Sequence, residues 1–255
     1  MEVHAHSHTP RKKWTHYLWE FLMLFLAVCC GFLTENFREH QVEYKRERKY
    51  MSSLASELNY DLGEYENVFK KISGITSVLD SFYHNIKNAG KYDYKLNPRW
   101  NALINNTTVS YMQAMPTIEQ LKSSGNLRLI RNREVEKKIL EYESFIVSHL
   151  NRNGDELVLA ARKLYAFEDQ LCDYEDFNRA TTENLQHEDG KDYHAMVFEM
   201  PILVKDPVKL NEFANSVVNY RAYLYGYYAN TLVAKEKTEQ LFSLINQHYH
   251  FKSQH

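Results

Sequence analysis

Phe21-Leu22-Met23-Leu24-Phe25-Leu26-Ala27-Val28-Cys29-Cys30-Gly31-Phe32-Leu33-Thr34 carries no charge and is bounded by Glu20 and Glu35. The run by itself is short for a bilayer span. Counted from Tyr17 to Phe37, a helix is about 30 Å long at 1.5 Å per residue, the thickness of the hydrocarbon core, and both glutamates then fall near the interfaces. Trp14, Tyr17 and Trp19 supply the aromatic edge expected where a helix meets the headgroups. Arg11, Lys12 and Lys13 ahead of an apolar run also describe a secretory signal, but no small-x-small cleavage site comes before Glu35, so residues 17–37 are expected to stay as an anchor. A lipoprotein reading of Cys29 is weaker, because Val28 stands where a small residue should precede the modified cysteine.

At 100° per residue, Glu20, Ala27, Gly31 and Thr34 share one narrow face, and Ala27 with Gly31 forms a small-xxx-small pair that lets two membrane helices approach closely. Two readings of Glu20 stand: a hydrogen bond across a helix–helix interface, or a pairing with His16 one turn earlier. Orientation is balanced between Arg11, Lys12 and Lys13 close before the span and Arg38, Lys45, Arg46, Arg48 and Lys49 more distant after it. Nearness, with Glu35 and Glu39 on the far side, favours a single-pass protein of a bacterial inner membrane with its domain in the periplasm; the bare count favours the reverse.

Outward from the anchor, Met51, Leu54, Leu58, Leu62, Tyr65, Phe69, Ile72, Ile75, Leu79, Phe82 and Ile86 recur at steps of three and four, which predicts one buried helical stripe. No Pro or Gly separates this stripe from the anchor, so residues 38–88 read as a long juxtamembrane helix continuing it, with Gly63 and Gly74 the places for any bend. Residues 89–255 are expected to complete the bundle, with irregular stretches at 89–116 and 173–205. Pro116-Thr117 opens a short helix, with Thr117 and Gln120 spaced as a capping box, and Gly125 is its left-handed stop. Asn132 begins a helix burying Val135, Ile139, Tyr142, Ile146 and Leu150. Asn151-Arg152-Asn153-Gly154 reads as a turn, Asp155 as the cap of a helix carrying Leu157, Ala160, Leu164, Phe167 and Leu171, and the two as an antiparallel hairpin. Asp206-Pro207 is an N-cap followed by proline at the first helical position. The last helix then repeats Leu210, Phe213, Val217, Tyr220, Leu224, Tyr227, Thr231, Ala234, Thr238, Leu241 and Ile245. The fold expected is all-α: an N-terminal single transmembrane helix followed by an up-down helical bundle with long helices.

Composition agrees. Eight Gly and five Pro are too few for a turn-rich β-sandwich or barrel, and 19 Tyr with 13 Phe supply the apolar area of a real core. A net charge of −2 gives no general pull toward nucleic acid, and three cysteines are too few for a disulfide scaffold.

The chemistry of known site types is missing. No His-Glu-x-x-His, Cys-x-x-Cys, phosphate-cradling glycine loop or Gly-x-Ser-x-Gly occurs, and no histidine has a glutamate three residues before it as a di-iron bundle requires. Neither a catalytic residue nor a cofactor nor a metal site is therefore assigned. His4, His6 and His8, with His248, His250 and His255, read as solvated tails rather than a metal site. Lys122, Arg128, Arg131, Arg133, Lys137 and Lys138 concentrate positive charge around Gly125, offset by Glu134, Glu136, Glu141 and Glu143. The tyrosines at 220, 223, 225, 227 and 228 fit core and interface packing better than a ligand groove.

Trp19-Glu20-Phe21-Leu22-Met23-Leu24-Phe25-Leu26-Ala27-Val28, continuing to Gly31-Phe32 and Glu35-Asn36-Phe37-Arg38-Glu39, resembles the start of uncharacterised single-span membrane proteins common in Bacteroidota. The leader Met1-Glu2-Val3-His4-Ala5-His6-Ser7-His8 looks like theirs as well. Gln120-Leu121-Lys122-Ser123-Ser124-Gly125-Asn126-Leu127-Arg128-Leu129-Ile130 is similar to a segment in their soluble part, while Cys29-Cys30 departs from the pattern. The resemblance implies membrane anchoring and a helical domain, and no activity. Residues 1–16 are then a His-rich basic leader. The expected partners are the bilayer, a second copy of the chain and an unidentified protein, with no nucleic acid. The function expected is that of a self-associating interaction or scaffold protein. A membrane-tethered ligand-sensing domain acting through a partner is the alternative, and an enzyme without a recognisable motif a distant third.

Overall fold

The computed structural model describes residues 14–88, 95–96, 113, 115–171, 173, 175 and 200–251. The chain divides into two units, Met1–Tyr50 and Met51–His255. Helix α1 runs from Trp14 to Asn88 without a break, passing through Gly31, Gly63 and Gly74. It is one continuous element, as the absence of breakers between the anchor and Met51 predicts.

In the first unit the helix is exposed along its apolar stretch save at the half-buried Cys29, with Trp14 at 79 %, Leu24 and Phe32 at 71 % and Phe37 at 66 %. It is long and apolar enough to cross a membrane.

The second unit is an all-α bundle. After α1 come α2 (Pro116–Ser123), a 3-10 turn (Asn126–Leu129), α3 (Arg133–Phe145), a π turn (Ile146–Asn151), α4 (Arg152–Leu171) and α5 (Pro207–Tyr249). Its described extended structure is a two-residue antiparallel ladder that sets β1 (Lys95–Leu96) against β2 (Met200–Pro201), followed by a bridge residue at Ile202.

The seam of α1 is buried at Met51, Leu54, Leu58, Tyr65, Ile72, Ile75, Leu79, Phe82 and Ile86. Leu62 and Phe69 are only half-buried, and Asp61 and Val68 take their places inside. This corrects the sequence expectation. With Asp61 and Val68 the seam alternates strictly by three and four, whereas Leu62 and Phe69 require a step out of phase that the helix does not make. In α5 every expected position from Leu210 to Ile245 is buried.

Contacts fix the directions. Arg221 Nη1 lies 2.6 Å from Asp80 Oδ1, Lys235 Nζ lies 2.6 Å from Glu66 Oε1, and Phe82 meets Phe213 edge to face, so α5 runs antiparallel to α1. Asn230 donates to Asn153 and Lys237 stands over the Phe145 ring, so α5 is also antiparallel to α3 and α4. An up-down relation thus holds between α5 and each of its neighbours.

The expected hairpin at 151–154 does not form. Helical backbone continues from Arg133 to Leu171, and the π turn takes the place of the loop. The reason lies in the seam Val135, Ile139, Tyr142, Ile146, Leu150, Gly154, Leu157, Leu164, Glu168, Leu171, all buried. Its phase slips by one residue between Ile146 and Gly154, and a π turn accommodates one extra residue while keeping both halves facing the same side. Asp155 consequently lies inside α4, and Ala160 and Phe167 are half-buried.

The remaining caps follow the sequence in part. Asn132 accepts from the amides of Glu134 at 2.8 Å and Val135 at 3.2 Å, and Asp206 accepts from that of Val208 at 2.9 Å. Gly125 has a φ of 67° and closes α2. The Thr117–Gln120 capping box is not made, since α2 already starts at Pro116. Glu57 of α1 caps α2 instead, accepting from the Thr117 hydroxyl at 2.5 Å and the Thr117 amide at 3.4 Å. Partial burial pushes the Glu57 carboxyl above its ordinary range, against the lowering effect of those two bonds.

Candidate functional site

Glu20, Ala27, Gly31 and Thr34 all lie on the exposed surface of the first unit. His16 Nε2 is 3.2 Å from Glu20 Oε1, the pairing that one reading of Glu20 anticipates. The Thr34 hydroxyl donates to the Cys30 carbonyl at 2.7 Å and is satisfied within its own helix, as is usual for hydroxyls in apolar helices. A methyl group at Gly31 would meet nothing within 4 Å, so the position is free of intrachain crowding.

A second arrangement, invisible to the sequence patterns, lies in the middle of the second unit. Asp61 occupies a seam position of α1, and Tyr65 follows one turn later. Gln113 enters from the segment leading into α2, Tyr142 from α3 and Thr238 from α5. The Gln113 side-chain amide donates to Asp61 Oδ2 and to the Tyr142 hydroxyl. Tyr142 Oη donates to Asp61 Oδ2 at 3.2 Å, and Tyr65 Oη donates to Gln113 Oε1 at 2.7 Å. The Thr238 hydroxyl lies 3.5 Å from Tyr65 Oη. All five residues are buried, and burial pushes the phenols of Tyr65 and Tyr142 well above their ordinary range. The cluster is closed and its groups bond one another, so it serves as a polar layer in the core. A carboxylate could enter the seam because it is met by an amide and a phenol rather than by hydrocarbon.

Part of the basic cluster around Gly125 is compensated by carboxylates. Lys122 pairs with Glu143 at 2.6 Å, Arg133 with Glu136 at 2.6 Å and Lys138 with Glu141 at 3.0 Å. His248 stands 3.1 Å from Asn132, and the other end cluster, His4, His6 and His8, lies outside the described residues together with His255. Among the described residues no group of three or more His, Cys, Asp or Glu is placed to hold a metal ion.

The tyrosine-rich part of α5 splits by face. Tyr220 and Tyr227 are core, and burial pushes the Tyr220 phenol up to about 12. Tyr225 and Tyr228 border an open groove with Phe69, Ser73, Thr76 and Asp80 of α1. The irregular segments 89–116 and 173–205 lie largely outside the described residues; Lys95–Leu96 of the first and Met200–Pro201 of the second meet in the β1–β2 ladder. Compared with known proteins, the chain matches no family model, no curated protein and no solved structure.

Proposed function

We propose that the chain is a membrane-anchored helical interaction protein, held in a bacterial inner membrane by residues 17–37 and presenting its bundle, on the periplasmic side, to copies of itself and to a protein partner. The observation that carries this reading is the apolar N-terminal third of α1, whose large side chains from Trp14 to Phe37 stand exposed around the whole helix. A contiguous apolar surface of that extent is unstable in water and is matched by lipid. Support also comes from the closed polar cluster of the bundle, where Asp61, Tyr65, Gln113 and Tyr142 bond one another, and from the resemblance to single-span proteins of Bacteroidota. Ala27 and Gly31 give two anchors a place to meet.

The test is membrane fractionation followed by crosslinking of the full-length chain. Retention in the membrane through alkaline carbonate extraction, with a dimer that Gly31→Leu weakens, is the expected result. A chain found in the soluble fraction, or only monomer in the membrane whatever stands at position 31, overturns the reading.

The ladder favours one alternative. By pairing Lys95–Leu96 with Met200–Pro201 it sets one point of each irregular segment beside the other, as a ligand-sensing domain closing over a small molecule would require. Protection of both segments from proteolysis by a metabolite pool would favour that alternative.

A further inference from the structure

Helix α5 is apolar on two sides. Away from its core seam, Val218, Ala222, Tyr225, Ala229 and Leu232 recur at steps of four and three, and all five are exposed. Tyr225 is 52 % and Leu232 45 % accessible, and Tyr228 and Val233 flank them. Between Phe213 and Ala234 the helix carries a single charged residue, Arg221, and its guanidinium is turned aside to Asp80 of α1. A helix that faces only water on its outer side has no reason to keep a second heptad there, and one that is apolar all round is normally covered all round.

We propose that this face is where a second copy of the chain packs, α5 against α5, in parallel about a two-fold axis. The parallel direction rests on the anchored reading above, because two chains fixed in one bilayer by the same N-terminal helix present α5 the same way. Three features select a copy of the chain as the occupant. A two-fold axis sets each residue opposite itself, so a charge on the seam would repel its own image, and this seam has none. Glu236 and Glu239 follow Leu232 on the exposed side and mark its end, where like charges would meet. Alternation of Ala222 and Ala229 with Val218, Tyr225 and Leu232 also lets two such helices close at the small layers while the large side chains interdigitate between them.

Size determines where the pairing works. Residues 218 to 232 span about 21 Å of helix. Two helices in contact over that length bury less than the roughly 1,200–2,000 Å² of a stable soluble complex. The face therefore suits a partner already held nearby, and a shared membrane provides one by raising the effective concentration.

The test uses the full-length chain in membranes, with Cys29, Cys30 and Cys172 replaced by Ser and a single cysteine introduced by Ala222→Cys, Ala229→Cys or, as a control on α4, Arg162→Cys. Mild oxidation is expected to give a disulfide-linked dimer from positions 222 and 229 and none from 162. Adding Tyr225→Glu to the Ala222→Cys chain is expected to abolish that dimer, with the helical content unchanged by circular dichroism. No dimer at 222 and 229, equal dimer at 162, an adduct with a different protein, or a dimer indifferent to Tyr225→Glu overturns the proposal. So does a position 222 closed to a maleimide in the monomer, which would mean that the chain covers this face itself. A membrane-bound dimer lost with Gly31→Leu but unaffected by Tyr225→Glu overturns the α5 pairing and leaves the anchored reading standing, whereas recovery in the soluble fraction removes the anchored reading first.

Discussion

Asp61 shows how a single residue can defeat an apolar-stripe reading. Ranked by hydrophobicity, Leu62 belongs inside and Asp61 outside, yet the strict three-four phase puts the carboxylate in the core and half-exposes the leucine. Removing one hydroxyl from the layer tests its tightness. Tyr142→Phe strands an amide hydrogen of Gln113 and leaves Asp61 Oδ2 with the Gln113 amide in place of two donors, and the expected loss is about 1–3 kcal/mol of unfolding free energy, measured by urea denaturation. A change below a few tenths would show that the bonds contribute nothing. The phenols predict a pH response as well. An unfolded tyrosine ionises near about 10, while Tyr220 in the fold waits until about 12 and Tyr65 and Tyr142 are raised too. Above about pH 10 the unfolded chain therefore holds fewer protons than the folded one, so stability falls as pH rises through that window and is unaffected by these groups below it. Tyr220→Phe is expected to flatten part of that slope in alkaline unfolding followed by circular dichroism. Gln113 had no signal in the sequence, because it sits in a stretch without periodicity and its importance depends on which seam position lies opposite.

Among the elements, α5 was fully legible and the α3–α4 run was not. The inner repeat of α5 is regular from end to end, and its cap, Asp206-Pro207, is local chemistry. Asn151-Arg152-Asn153-Gly154 carries the composition of a turn, but packing overrules it: Asn151 accepts from the Gln113 amide, Asn153 bonds Asn230, and Gly154 is buried. Turn-forming residues here serve as small polar packing residues within a helix. The phase slip itself was readable, since the spacing Tyr142, Ile146, Leu150, Gly154 repeats fours where a four and a three are due. This gives a prediction specific to the π turn. Deleting Val147, an exposed residue inside it, restores the regular alternation from Val135 to Leu171 and is expected to leave the melting temperature unchanged or raised. Deleting Asp155 rotates Leu157, Leu164 and Leu171 off the seam and is expected to lower it by several degrees or more. Equal behaviour of the two deletions would refute the one-residue-insertion account.

At the scale of the whole molecule, sequence periodicity gave the class of fold and the continuity of α1, and left the connections unread. A chain starting at Arg38 lacks the exposed apolar helix and is expected in the soluble fraction, while the full-length chain pellets with membranes; density-gradient flotation distinguishes the two. The polar layer has a further consequence for how the bundle finds its alignment. The seams of α1 and α5 repeat every seven residues and are degenerate: sliding one helix past the other by a heptad restores most apolar contacts. Asp61, Tyr65, Gln113, Tyr142 and Thr238 occur once each, and only one setting of the helices brings them together, so every slipped arrangement strands a carboxylate in hydrocarbon. The layer thus acts as an index mark, raising the energy of misaligned assemblies more than it lowers that of the aligned one.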